Sequence, residues 1–421
     1  MHPLVLAGVF TDDPYNTYVM SKTSRTAHRT SLFPESVIRE MTRVALSVGA
    51  INLSQGYPDF AAPQSIKDAA RAAIDADHNQ YSVTWGLKPL RDSIADHYRR
   101  HYEMDVNPDT QVVVCTGATE SMIAAMLGII DPGDEVVIFE PYYESYLPNC
   151  HITQSTPRFV SLRPPVEGAV NGLAEAGAWW FDPDELKRAF GPKTRAIIVT
   201  SPHNPTGKVF NQTELELIAQ LCQQHDVIAL TDEIYEFITY DGQQHIPLAT
   251  LPGMAERTVT ISGMSKTFSV TGWRLGYAVA APDMMTSIRK AHDFMSVCAA
   301  TPLQHAGIAM LNLGDEYYAK LKNDYQQRRD YMIETLRAVG FKPVVPQGAY
   351  YTMTDFSAVS SQDDLTFSMR MAKEVGVACV PGSPFFSRPE LARNIVRFAF
   401  CKKRETLEAA RERLWKAFGN S

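Results

Sequence analysis

From about residue 64 to 310, short apolar runs alternate with stretches whose apolar positions recur at helical spacing. Residues 111–116, 135–140, 195–201, 227–232 and 258–262 are near-continuous apolar runs bounded by turn residues. Strands of that kind are buried on both faces, which requires helices above and below the sheet. Helical patterns at 120–130 and 213–225 supply such covers, and the turn Asp131-Pro132-Gly133-Asp134 ends the first. The alternation predicts a doubly wound α/β layer with ligands at strand C-termini.

After about residue 310 the pattern changes. A long amphipathic helix over 314–339 precedes short strands near Val344, Tyr351, Val377 and Val396, and a last helix covers about 405–418. That is an α+β arrangement. The expected organisation is a large unit over 64–310 and a smaller one over 311–421, which the segment 21–63 joins. Residues 1–20 read as a leader or extension, and Met20 is an alternative start. The Pro-, Gly- and Ala-rich stretch 163–178 reads as a surface loop.

Composition narrows the function classes. The 421 residues suffice for two or three domains and for a sizeable core. Forty Lys and Arg against 47 Asp and Glu give a net charge of −7, with no basic concentration to neutralise nucleic-acid phosphates. The longest apolar runs, such as 122–130, fall well short of the roughly 18–20 residues that span a bilayer. Six scattered cysteines without a CxxC pair read as reduced thiols of a cytoplasmic protein.

Five segments near predicted strand ends carry chemistry. In Ser262–Gly276, Lys266 sits among Ser and Gly residues, with Arg274 eight positions on. This suits a Schiff-base lysine beside an arginine that clamps a phosphate, against the alternative of a solvated loop lysine. Asp232, in Thr231-Asp232-Glu233-Ile234-Tyr235, can pair with a cofactor ring nitrogen or simply cap a helix. Two prolines and a glycine in 201–207 stiffen a loop that would hold the Asn204 amide, while His203 has no second ligand at metal-like spacing. Thr116-Gly117-Ala118-Thr119-Glu120 opens a helix whose free N–H groups suit a phosphate, or an N-cap. Arg397, in an apolar strand, needs either an internal carboxylate or a bidentate substrate carboxylate.

In this order, GATE, SPHNPTG, DEIY, SKTFSVTGWRLG and the late arginine resemble the fold-type I pyridoxal-phosphate enzymes, specifically the class I/II aminotransferases. The likeness runs from about Ser54 to Arg397. Residues 53–60, Asn79-Gln80-Tyr81 and Glu140-Pro141-Tyr142-Tyr143 resemble the branch of kynurenine/glutamine transaminases (cysteine-S-conjugate β-lyases) and methionine or aromatic aminotransferases.

The resemblance implies pyridoxal 5′-phosphate as cofactor and no metal. It implies that Lys266 forms the internal aldimine and moves the Cα proton, and that Asp232 pairs with the pyridinium nitrogen. Tyr235 and Asn204 would hydrogen-bond the phenolic oxygen, and Tyr143 would stack on the ring. The phosphate would be held by Arg274, the backbone of Ala118 and Thr119, and Ser265 or Ser262. Gly56 and Arg397 would bind the substrate carboxylate, and Tyr81 would reach the phosphate of a neighbouring subunit, making a homodimer with shared sites. Three positions depart from relatives. Gly263 stands where many carry a phosphate-binding serine, and Cys298-Ala299 replace an aromatic–histidine pair of kynurenine transaminases. Thr119 replaces a lysine that binds a distal carboxylate in some aspartate aminotransferases. The expected reaction is therefore amino transfer from a neutral amino acid (methionine, glutamine or aromatic type) to a 2-oxo acid. β-Lyase chemistry or aspartate-type transfer on the same apparatus is the alternative.

Overall fold

The structure, a computed structural model, describes residues 25, 27–165 and 177–419. The expected leader, residues 1–20, and most of the 163–178 loop lie outside them. Residues 1–34 and 35–421 form separate compact units, and the first contributes a single 3₁₀ turn, His28–Ser31, among its described residues.

In the second unit, α1 (Val37–Val48) starts at Ser36, whose hydroxyl accepts the Arg39 N–H, and stops at Gly49 in the left-handed region. It leads into β1 (Ile51–Asn52), then α2 (Gln64–Asp75) and α3 (Lys88–Tyr102). The alternating region follows as β2 (Val112–Cys115), α4 (Ala118–Ile129), β3 (Glu135–Glu140), α5 (Tyr146–Thr153), β4 (Thr156–Ser161) and α6 (Pro183–Ala189). It continues through β5 (Thr194–Thr200), α7 (Gln212–His225), β6 (Ile228–Asp232), β7 (Thr258–Gly263), β8 (Gly276–Val279), α8 (Pro282–Ser296) and α9 (Thr301–Leu311). A reciprocal capping box between Asn211 and Glu214 starts α7.

These strands form one sheet in the order β2-β8-β7-β6-β5-β3-β4, in which only β8 runs against the others. Both faces are covered, as the apolar runs require. Ala196 and Ile198 pack on one side with Met122 and Met285, whereas Ile197 and Val199 pack on the other with Leu215 and Ile218. The expected strands and helices form within a few residues of their predicted limits. β4 and β8 were not anticipated: β4 mixes polar with apolar residues at the sheet edge, and β8 follows directly on the Arg274 loop.

Beyond α10 (Asp315–Ala338) come β9 (Lys342–Pro343), β10 (Tyr351–Asp355), α11 (Asp364–Arg370), β11 (Val377–Ala378), β12 (Val380–Pro381), β13 (Ile395–Ala399) and α12 (Arg404–Phe418). A second sheet has the order β12-β13-β10-β9 and is antiparallel throughout. β1 pairs in parallel with β11, which brings the segment before Ser54 beside β13 and Arg397. No helix among the described residues is long and apolar enough to cross a membrane.

Candidate active site

The C-terminal ends of β2, β3, β5, β6 and β7 open onto one cavity, closed on its far side by α1, the Gln55–Gly56 turn, Tyr351 and Arg397. At one end of the cavity, α4 begins immediately after β2. The first N–H groups of a helix have no intrahelical acceptor, and among the described residues those of Ala118 and Thr119 find none elsewhere. The Arg274 guanidinium lies against Gly117, so close that a Cβ at Gly117 would stand 2.5 Å from Nη2. A Cβ on Gly276 would stand 2.4 Å from the Ala118 nitrogen, so only glycine lets β8 approach the helix start this closely. Two N–H groups at a positive helix end, a guanidinium, and the hydroxyls of Thr119 and Ser265 form a donor set that fits a phosphate.

Asp232, the last residue of β6, is buried and accepts from the Tyr146 hydroxyl at 2.7 Å and, more weakly, from the Ile234 N–H at 3.4 Å. Burial raises its pKa, and those two hydrogen bonds oppose the rise. Tyr146 is itself placed by Thr200, 2.7 Å away, so the ends of β5 and β6 fix one carboxylate orientation.

Lys266 lies three residues past β7, with Nζ donating to the Gly56 carbonyl at 3.1 Å. Burial depresses its pKa to about 8, and the positive charges of Arg274 and Arg397 push the same way. A much larger share of this amine is therefore neutral and nucleophilic near pH 7 than for an ordinary lysine. The Tyr235 hydroxyl, 3.1 Å from that of Tyr351, is driven well above its usual pKa by burial and stays a donor. Asn204 accepts from Arg397 Nη1 at 2.9 Å through Oδ1, which leaves its amide hydrogens for another acceptor.

Arg397 is fully buried. Its Nη2 donates to the Ser54 carbonyl at 2.9 Å, its plane lies over the Tyr351 ring, and Nε has no partner. No carboxylate lies within ion-pair distance of it among the described residues, so the internal salt bridge is not what it serves. A buried guanidinium with an unused donor suits a carboxylate brought in by a ligand.

The structure thus gathers Gly56, Ala118, Thr119, Tyr143, Asn204, Asp232, Tyr235, Ser265, Lys266, Arg274 and Arg397 around one cavity. It does not bring Ser262 there: that side chain is buried at 3.2 Å from Glu236 Oε1, because the end of β7 turns it to the other side of the sheet from the cavity. Of the two serines, Ser265 is the one at the site. Tyr81 is 81% exposed and away from the cavity of its own chain. Sequence reasoning missed Tyr146, although its spacing of three from Tyr143 puts both near one helix start with rings 5.7 Å apart. It also missed Ile38, Arg39 and Glu144 at the rim, which no local motif marks. Cys115, Glu120 and His292 bring possible metal-ligand atoms within 4.8 Å of one another. Both His292 nitrogens are already engaged, by Glu120 at 2.7 Å and the Thr84 carbonyl at 2.8 Å, so the group braces the start of α4. His203 is a buried neutral histidine, its pKa pushed down to about 3 by burial and then by Lys208, and it bonds Thr206.

A phosphate cradle, a buried carboxylate, phenol and amide donors and a depressed lysine are the groups that a pyridoxal phosphate requires. Comparison with known proteins agrees. Residues 48–414 match the family described as aminotransferase class I and II. The chain is 37% identical over 397 residues to a probable N-succinyldiaminopimelate aminotransferase of Mycobacterium tuberculosis, covering 92% of this chain and 98% of that one. It is 37% identical over 404 residues to human kynurenine–oxoglutarate transaminase 1, covering 90% and 95%. Among solved structures, YbdL of Escherichia coli, reported to have a methionine aminotransferase function, superposes with a TM-score of 0.86 at 32% identity, covering 93% and 99%. The chain belongs to the class I and II aminotransferases and is a pyridoxal 5′-phosphate-dependent transaminase of fold type I that acts on amino acids and 2-oxo acids.

Proposed function

We propose that the enzyme takes the amino group of a neutral L-amino acid, of methionine, glutamine or aromatic type, and delivers it to a 2-oxo acid. The observation that carries the reading is the cavity itself: a depressed lysine amine at one end and, at the other, a buried arginine whose Nε has no partner among the described residues. When bound, the cofactor supplies the electron sink that acidifies the donor Cα–H and carries the amino group between the two half-reactions.

The protein's own groups do the rest. Ala118, Thr119, Ser265 and Arg274 would hold the phosphate, and Tyr143 would cover the ring. The Asp232 carboxylate would keep the ring nitrogen protonated, while Tyr235 and Asn204 would donate to the ring oxygen. Arg397 grips the substrate carboxylate in a bidentate manner, with Gly56 alongside, so that the Cα–H faces Lys266. The Lys266 amine, buried and partly neutral, is the group that would take that proton from Cα.

A neutral side chain is favoured by the walls it would meet, which include Ile38, Met122 and Tyr143. Arg39 and Glu144 share the rim, so the rim has no net charge to select an acidic group. Among the relatives, the methionine aminotransferase function reported for YbdL points the same way, whereas the succinyldiaminopimelate and aspartate aminotransferases act on donors that carry a further carboxylate. Shared sites in a homodimer are supported by the exposed apolar surface of Tyr81, Val83, Phe294 and Met295. The Thr84 carbonyl bonds His292 of α8 and the Gln80 carbonyl bonds Thr301 of α9, so the two stretches adjoin.

Titration of the yellow holoenzyme with single amino acids, without acceptor, tests the reading. Lasting loss of the visible band with neutral donors is expected, and the best donor names the side-chain class. Recovery of the band with release of ammonia would make it a β-lyase. Response to aspartate alone would overturn the neutral-donor assignment.

A further inference from the structure

Four successive carbonyls, from Ser54 to Tyr57, accept hydrogen bonds from three cationic side chains. Ser54 receives Arg397 Nη2 at 2.9 Å, and Gly56 receives Lys266 Nζ at 3.1 Å and the Tyr350 hydroxyl at 2.9 Å. The two carbonyls that flank Gly56 belong to another cation. Lys402 Nζ donates to the Tyr57 carbonyl at 2.8 Å and to that of Gln55 at 3.4 Å, and lies 4.0 Å over the Tyr57 ring. The Tyr57 N–H closes a tight turn onto the Gln55 carbonyl at 3.0 Å.

Lys402 is 2% exposed and does not line the cavity. It has no carboxylate within ion-pair distance among the described residues; the nearby Asp59 bonds Lys403 and Thr406 instead. An ammonium in that position is costly to bury, and an apolar residue of the same length would be cheaper for stability alone. Its ammonium holds the carbonyls on both sides of Gly56, while the Gly56 carbonyl between them accepts from Lys266 and Tyr350 instead. The lysine side chain is a flexible four-carbon stem, and the Gly56 carbonyl is the one acceptor its amine has among the described residues. A Cβ on Gly56 would stand 1.9 Å from the Tyr351 hydroxyl, so the turn sits pressed against the cavity wall.

We propose that Lys402 is a positioning residue for Lys266, aiming the Gly56 carbonyl that places the reactive amine, although Lys402 touches neither substrate nor cofactor. This rests on Lys266 being the reactive amine. Holoenzymes of the wild type, Lys402→Met and Lys402→Arg are compared in single-turnover bleaching with Cα-protiated and Cα-deuterated donor. They are compared again in the rate at which stripped protein regains its visible band when pyridoxal phosphate is added back. Expected for Lys402→Met are a bleaching rate 10- to 100-fold slower, a larger deuterium effect, slower recapture of the cofactor, and a donor KM within about twofold of wild type. Lys402→Arg, which keeps the donors, is expected to recover most of the rate. Should the methionine variant not fold, Lys402→Gln carries the same comparison at a smaller expected effect. Wild-type rates and isotope effect in the folded Met or Gln variant would overturn the proposal. So would a fall in rate and thermal stability together with an unchanged isotope effect, which marks a merely structural role. Absence of a visible band in the wild type would instead overturn the assignment of Lys266 itself.

Discussion

The two ends of the cavity are built in different ways. The cofactor end is local: Ala118 and Thr119, Asp232 and Tyr235, and Ser265 to Arg274 each stand at or just past the C-terminal end of one strand of one sheet. The substrate end is assembled from afar. Gly56 and Arg397 are more than 300 residues apart and meet through the pairing of β1 with β11 and the Arg397–Ser54 hydrogen bond. A ladder of parallel strands fixes the first end to within the precision of its hydrogen bonds. The second depends on long-range hydrogen bonds from Arg397, Lys266 and Lys402 to the turn at 54–57.

The contrast predicts that substitutions at one end change cofactor binding and chemistry, whereas those at the other change substrate KM. Lys266→Ala should have the largest effect, abolishing the visible band and lowering kcat by about 10⁴-fold or more, at the upper end of what a positioned acid–base group contributes. The same residue gives a pH test. Because burial lowers its pKa to about 8, cofactor recapture by the stripped protein should rise with pH and level off above about 8. An ordinary lysine would keep rising to beyond pH 10.

Arg397→Leu should come next, raising the KM of every amino acid and 2-oxo acid about 100-fold, or roughly 3 kcal/mol, with the visible band intact. An unchanged KM would remove the substrate end from the comparison. Gly276→Ala would thrust a methyl group to 2.4 Å from the Ala118 nitrogen. Equilibrium dialysis should then show cofactor affinity weakened about tenfold with donor KM unchanged, the cost of one charge-assisted hydrogen bond. The smallest effect is expected from Tyr146→Phe. It removes the 2.7 Å bond that helps keep Asp232 ionised, so the carboxyl pKa should move further up and kcat should fall a few-fold.

The same division decided what could be read in advance. Lys266, Asp232, Asn204 and Arg274 were visible because each stands at or just past the end of a strand, within a short run of neighbouring residues that can be read together. Ser262 shows the limit: four residues before Lys266 in sequence, it faces Glu236 on the other side of the sheet. Tyr146 escaped notice because its role exists only once β5 and β6 lie side by side and present Thr200 and Asp232 to one hydroxyl.

By itself the sequence determined the α/β alternation, the buried character of the strands and the chemistry at their ends. Each of these follows from the order of neighbouring residues and the two periodicities of the backbone. Only the tertiary structure decided which side each strand-end side chain takes, that Arg397 has no carboxylate partner among the described residues, and that Lys402 and Lys266 share one turn. Those are properties of groups tens to hundreds of residues apart, and packing, not local spacing, sets their distances.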